Sequence, residues 1–233
     1  MHAEMWYDEI PPGKSWASLW SGYVLCGHCT GIRQVQANCP ACGAPPPSSE
    51  PVRVRREDGT EEMVIMALAG AEGRYEDYVY LQMLQREWER PAPDFEQLSH
   101  LRNGKRPSAR AALALLFWSY FETRIERLLR NGMRRLPESV REDLLDRYSA
   151  IGARVYKLYA IVFGQTYFDD LRAFGFADVA DLLLELHKRR NEFSHGQPQA
   201  IDDASVIALV GSLKAEHESW IAVFNRRATS ASG

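Results

Sequence analysis

Four cysteines fall within seventeen residues, as Cys26-Gly27-His28-Cys29 and Cys39-Pro40-Ala41-Cys42, with nine residues between the pairs. A C-x2-C turn aims two thiolates at one point, and two such turns supply the four soft ligands that tetrahedral zinc prefers. Gly27 and Gly43 permit the tight backbone that each turn needs. Two disulfides are the competing reading, but bridges within C-x2-C units close loops too short to restrain an unfolded chain. The opening Met1-His2-Ala3-Glu4 has neither a basic flank nor an apolar signal core, so the expected compartment is the cytoplasm, where thiols stay reduced. A redox C-x-x-C would want a βαβ context that is not evident, and a catalytic zinc would need an open position that four thiolates deny it. His28 could replace one thiolate, but four cysteines suffice. The expected cofactor is therefore one structural Zn2+ held by Cys26, Cys29, Cys39 and Cys42.

This arrangement resembles a zinc ribbon over about residues 21–45, a likeness that bears on fold more than on function. The whole chain, 233 residues, 45% apolar and 25% charged, is long enough for one or two domains with cores of their own. Its longest apolar run, Ala111 to Trp118, is eight residues, less than half a membrane span, so no membrane partner is expected. The net charge of −3 excludes a wholly basic nucleic-acid coat and leaves only local patches. One stands out: residues 99–135 hold nine Lys/Arg against Glu122 and Glu126 alone, a local +7.

Tyr23-Val24-Leu25, preceded by Trp16 and Trp20 at helical spacing, reads as a short strand entering the first cysteine turn. A proline-rich connector, Ala44 to Ser49, follows. Val52-Arg53-Val54-Arg55 and Met63-Val64-Ile65-Met66 flank Glu57-Asp58-Gly59-Thr60, where Asp-Gly signals a hairpin that extends the metal module. From residue 71 the period is helical. A first helix (72–90) carries Tyr75, Val79, Leu81, Met83 and Trp88. Ser108 is the expected cap of the strongest one, whose stripe runs Leu113, Phe117, Phe121, Ile125 and Leu128 to a stop near Asn131-Gly132. A third region runs from Pro137 to Gly164, a fourth from Asp178 to His195 and a last from Asp202 to Arg227.

The fourth helix ends Lys188-Arg189-Arg190-Asn191-Glu192-Phe193-Ser194-His195-Gly196. Its apolar stripe, Leu183, Leu186 and Phe193, calls for a core residue near 190, and arginine stands there instead. A guanidinium on an inner face is costly unless paired or open to an anion; snorkelling or a buried carboxylate is the bland alternative. Asn191 and His195 share a face, and Arg190 can reach the same point, so the three can surround one phosphate. Gly196 should end the helix and leave His195 in the last turn, where unpaired carbonyls favour the imidazolium that a general acid needs. His187 lies on the same face, but a lone helix histidine is more often a surface residue.

Arg190-Asn191-Glu192-Phe193-Ser194-His195 resembles the R-N-x3-H signature of the HEPN superfamily, all-helical domains of which many are metal-independent endoribonucleases. The helix from Ala109 to Arg130, with Phe117-Trp118-Ser119-Tyr120-Phe121-Glu122, also resembles that family's early helix. The likeness covers about residues 95–228 and leaves out the cysteine module. It implies a mainly α fold: a HEPN-like antiparallel helical bundle over residues 71–233, preceded by a small zinc ribbon and β-hairpin over 1–70. It further implies RNA as substrate, cleaved with the RNA's own 2′-hydroxyl as nucleophile to leave a 2′,3′-cyclic phosphate, with no cofactor for catalysis. In that role Arg190 neutralises the phosphate, His195 moves protons and Asn191 orients the site. Glu122 is a further candidate, holding Arg190 or His195, or pairing with an arginine on its own helix. The likeness also implies a homodimer with both motifs facing one cleft. Such enzymes act as toxins or antiviral-defence effectors, so an antitoxin or regulatory protein is an expected partner.

Two other readings stay open. One is a non-catalytic HEPN-like module that binds RNA, a nucleotide or a protein partner through Arg190 and His195. In the other, the metal module is a nucleic-acid-binding regulator and the bundle its dimeriser, which the scarcity of basic residues before position 50 disfavours.

Overall fold

A computed structural model describes Trp16 and residues 23–26, 28–29, 31–34, 36–46, 52–55, 58–64, 71–91 and 107–230. Gly27, Trp20, Pro47-Ser48-Ser49, Glu57, Ile65-Met66 and the basic Arg102, Lys105 and Arg106 lie outside the described residues.

Two short antiparallel ladders open the chain. Strand β1 (Tyr23–Leu25) pairs with β2 (Ile32–Gln34), placing Leu25 opposite Ile32, and β3 (Val52–Arg55) pairs with β4 (Glu61–Val64), placing Arg55 opposite Glu61. They form separate two-stranded sheets, so the hairpin does not extend the β1–β2 ladder. Its turn follows the Asp-Gly signal: Gly59 sits at φ +84°, and the Asp58 carboxylate accepts the Thr60 N–H. Strand β4 begins two residues earlier than expected, because Arg53 pairs with Met63 and draws Glu61 into register.

The body is helical: α1 (Ala71–Glu89), α2 (Ala111–Gly132), α3 (Glu138–Arg147), α4 (151–163), α5 (Tyr167–Ala173), α6 (Ala177–Ser194) and α7 (Asp203–Ser230). Helix α2 is the centre. Its Leu113, Phe117, Phe121, Ile125 and Leu128 are all buried at the expected helical spacing, and α1, α4, α6 and α7 pack around it. Two expectations need correction. Ser108 does not cap α2 directly; its hydroxyl accepts the Arg110 N–H in a turn just ahead of the helix. The helix ends at Gly132, where the sequence places its stop. A Cβ there would lie 2.5 Å from the Phe163 ring, so glycine is what lets the ends of α2 and α4 touch. The region 137–164 is two helices, broken between Tyr148 and Ala150, and α4 contains a π-helical turn at Arg154–Leu158. In α1, Leu81 and Leu84 face the core, while Met83 points outward.

Three arginines of the expected basic patch are paired with carboxylates on folding. Arg124 is buried and paired with Glu216 of α7 at 2.8 Å, Arg127 meets the buried Asp77 of α1 at 2.8 Å, and Arg130 pairs with Glu126 and Glu142. Charge counted along a stretch of chain cannot register carboxylates contributed by other helices. The Arg124 guanidinium packs against two rings, 4.7 Å from the centroid of Tyr120 and 4.5 Å from that of Trp220. Beside it, His217 is buried against the edge of Tyr23.

Burial, reinforced by the charge of Arg124, holds the His217 imidazole down to about 3. The unfolded chain takes up a proton near pH 6.5 that the folded chain refuses, so stability falls as pH drops from about 6.5 toward 3. By pH 4 this one group should remove about 3 kcal/mol. Denaturant unfolding from pH 7 to 4 should therefore show a visibly shallower loss of stability in His217→Phe than in the wild type, and equal slopes would refute the assignment.

Candidate functional site

The four cysteine sulfurs lie within 4.8 Å of one another and form no disulfide. Cys26 Sγ is 3.7 Å from Cys42 Sγ, and Cys29 Sγ is 3.6 Å from Cys39 Sγ. A tetrahedron with metal–sulfur bonds of about 2.3 Å has edges of about 3.8 Å, so this spacing suits one shared metal ion, whereas a disulfide needs about 2.05 Å. The turns fold as the sequence demands. Gly43 adopts φ +74° and donates to the Cys39 carbonyl at 2.8 Å, and the Cys26 N–H closes the other turn onto the Gly31 carbonyl at 2.7 Å. Burial raises the Cys26 thiol, but the amides of His28 and Cys29 together with the Cys42 and Cys39 thiols outweigh it and bring the group down to about 7. Burial and the neighbouring sulfurs push Cys29 up to about 12. Four sulfurs this close resist joint ionisation, and a divalent cation removes that conflict. The side chain of His28 is exposed.

The metal module is seated on α7. The Asn225 carboxamide accepts the Ile32 N–H and donates to the Ile32 carbonyl at 2.7 Å, completing the free edge of β2 as a partner strand would. Asn225 is buried, and Ile32 and Trp16 join the same hydrophobic cluster as the helices. Gly31 makes the approach possible: a Cβ there would lie 2.9 Å from Ala41 Cβ, 3.1 Å from Asn225 Oδ1 and 3.2 Å from Cys29 Sγ. Sequence reasoning misses Asn225, although a signal is there: a polar residue directly after the apolar Val223-Phe224, in a helix that buries all three.

The second constellation is at the end of α6. Gly196 at φ +87° closes the helix, with the Gly196 N–H on the Phe193 carbonyl and the Gln197 N–H on the Glu192 carbonyl, the paired bonds of a Schellman stop. Arg190 is not on the inner face. Its side chain is 37% exposed at the rim, with Nη1 donating to Asn191 Oδ1 at 3.2 Å and Nη2 3.9 Å from the Glu122 carboxylate of α2. Glu122 thus faces Arg190 from the neighbouring helix. Asn191 Nδ2 lies 3.2 Å from His187 Nε2, and the His187 ring stacks on Trp118 at 5.2 Å and 3°. His187, a surface residue by its sequence context, therefore belongs to the cluster. Burial first, and then the charge of Arg190, holds its pKa below the ordinary histidine value. His195 caps the helix, with its N–H on the Asn191 carbonyl at 3.0 Å. Its side chain is exposed and has no hydrogen-bond or ion-pair partner among the described residues. The fold brings Arg190, Asn191, Glu122 and His187 together and leaves His195 one turn away, facing solvent.

No helix among the described residues is long and apolar enough to cross a membrane. No protein-family model, curated protein or solved structure matches the chain.

Protein purified under reducing conditions should contain one metal equivalent per chain, and Cys26→Ser should lose most of it. Asn225→Leu removes both bonds to Ile32 and strands two buried backbone groups, which should cost about 2–4 kcal/mol in urea unfolding while the metal stays bound. Unchanged stability in Asn225→Leu would show that the seat is not made there.

Proposed function

We propose that this protein is a HEPN-type, metal-independent endoribonuclease that works as a homodimer, with a structural zinc in its four-cysteine site. The observation that carries this reading is the state of Arg190. Of its five N–H donors, one engages Asn191, and Glu122 stands beyond hydrogen-bonding distance, so the guanidinium keeps donors for an anion while two neighbours hold it in place. His195 stands one turn further along with an unengaged ring.

On this reading Arg190 grips the scissile phosphate and stabilises the charge that builds on its oxygens. His195 transfers a proton between the attacking 2′-hydroxyl and the leaving 5′-oxygen. RNA supplies its own nucleophile, so the step asks for no activated water. The site is open on one chain, and a second protomer facing it would exclude water and add a second Arg190 and His195. Zinc is the metal of choice for four thiolates, and with every position taken by sulfur it supplies folding energy rather than chemistry.

Incubated with mixed RNA in EDTA, the wild type should cleave, and His195→Ala should cleave about 10²–10⁴ more slowly with nearly unchanged RNA affinity. Arg190→Ala should lose both. A 2′-deoxy nucleotide at the cut site should block cleavage. Cutting of that substrate, or full activity in His195→Ala, would remove the mechanism, and RNA binding without cleavage by any form would favour a binding module. Light scattering at micromolar concentration should report a dimer, and a monomer would contradict the shared cleft.

A further inference from the structure

Donor and acceptor logic at the end of α6 leads further than the motif. Arginine offers donors only, so the Asn191 atom facing Arg190 Nη1 must be the carbonyl Oδ1. The amide nitrogen Nδ2 is thereby turned toward His187 Nε2, at 3.2 Å, and because Nδ2 also only donates, Nε2 must accept. An imidazole that accepts at Nε2 is neutral and carries its proton on Nδ1. We propose that His187 is the positioning residue of this site: its neutral ring holds the Asn191 amide in the one orientation that presents Oδ1 to Arg190, and a proton on Nε2 would turn the amide over and release the guanidinium.

The surroundings suit such a gate. The ring lies flat on Trp118 of α2, and the first turn of α4 passes over its edge, where a Cβ on Gly152 would come within 3.4 Å of Cε1. Stacked and covered, the ring has little freedom to turn away from Asn191. Among the described residues, the charged groups about it are Arg190 on its own helix and, beyond Arg190, Glu122 of α2; α4 offers the backbone of Gly152. Burial and Arg190 both disfavour the imidazolium, so the ring is neutral near pH 7 and the gate turns over in acid. After the flip, Asn191 would point Nδ2 at a guanidinium that cannot accept, and Arg190 would lose its only hydrogen bond from that side.

The consequence for RNA cleavage rests on the endoribonuclease reading, but the amide itself can be watched without it. Nitrogen-15 NMR of the full, metal-loaded chain should show His187 at pH 7 with a bare Nε2 and a protonated Nδ1. On acidification the Asn191 side-chain amide should shift with the same midpoint as the His187 ring, below the ordinary histidine value. His187→Phe keeps a ring on Trp118 but has no acceptor, so the Asn191 transition should vanish. His187→Gln restores an acceptor that does not titrate, so Asn191 should keep its wild-type shift at pH 7 and hold it into acid. In cleavage assays the phenylalanine variant should lose about tenfold in kcat at pH 7.5. The glutamine variant should recover most of that loss and extend activity to lower pH than the wild type.

An Nε2-protonated ring at pH 7, or an Asn191 amide indifferent to the titration of His187, would overturn the proposal. So would a glutamine variant no better than phenylalanine in both the amide shift and cleavage. If the wild type cleaves no RNA at any pH, the endoribonuclease reading falls by itself, and the amide titration still decides the role of His187.

Discussion

The buried pair of Arg124 and Glu216 sets the register of the helical body. Both side chains are almost wholly removed from solvent, 1% and 2% exposed, and Arg124 Nη1 reaches both carboxylate oxygens, at 3.0 and 2.8 Å. Such a pair adds little net stability over well-packed apolar residues, but removing one partner costs about 3–5 kcal/mol because the other charge is left stranded. Sliding α2 along α7 by one residue would strand both. The rings of Tyr120 and Trp220 against the guanidinium narrow the choice further. With α2 held axially, Trp118 and Glu122, one turn apart on its α6-facing side, are fixed at the heights of His187 and Arg190. The geometry at the end of α6 thus depends on an ion pair on a different side of the central helix.

The same α7 carries the metal module. Glu216 and His217 face α2 and β1, and two turns later Asn225 meets β2, so one helix is held by the ion pair toward its middle and by the Ile32 backbone toward its end. A ladder of three residue pairs cannot stand alone in water. Asn225 stabilises it along its edge, and a metal ion shared by the four cysteines would brace its turns. Near the end of α7, Arg227 adds a third tie, donating to the buried Asp170 of α5, which also accepts from Tyr159 and Gln165.

Features set by residues close in sequence are legible in the sequence alone. The cysteine turns, the stripe of α2, the hairpin at Asp58-Gly59 and the stop at Gly196 each depend on neighbours within a few positions, and each forms where the local pattern places it. Helix α5 escapes that pattern although its signal is present: Thr166 and Asp169 form a reciprocal capping box, but the seven-residue segment is too short to show a helical period. Features set by distant partners are not legible. Arg124, Arg127 and Arg130 read as a basic patch because Glu216, Asp77 and Glu142 come from other helices. His187 reads as a surface residue because Trp118 lies on another helix, and Arg190 reads as an inward arginine because the stripe of α6 alone does not show that this position lies at the rim.

The two halves of the Arg190–His195 motif are held very differently, and the difference fits the work proposed for each. Electrostatic stabilisation depends on a charge already oriented when the reaction begins, since any reorganisation adds to the barrier. Arg190 meets that condition through Asn191, whose amide is oriented in turn by His187, with Glu122 opposite. Proton transfer depends instead on a group that can meet both the attacking and the leaving oxygen, which lie on opposite sides of the phosphorus. His195, on the cap between α6 and a left-handed glycine, is held at its backbone and open at its ring. Neither residue closes the site against water on one chain; on the proposed reading, RNA, a second protomer or both would supply the missing wall. The rim position of Arg190, which looks like a fault in the core pattern of α6, is what lets its charge face that wall.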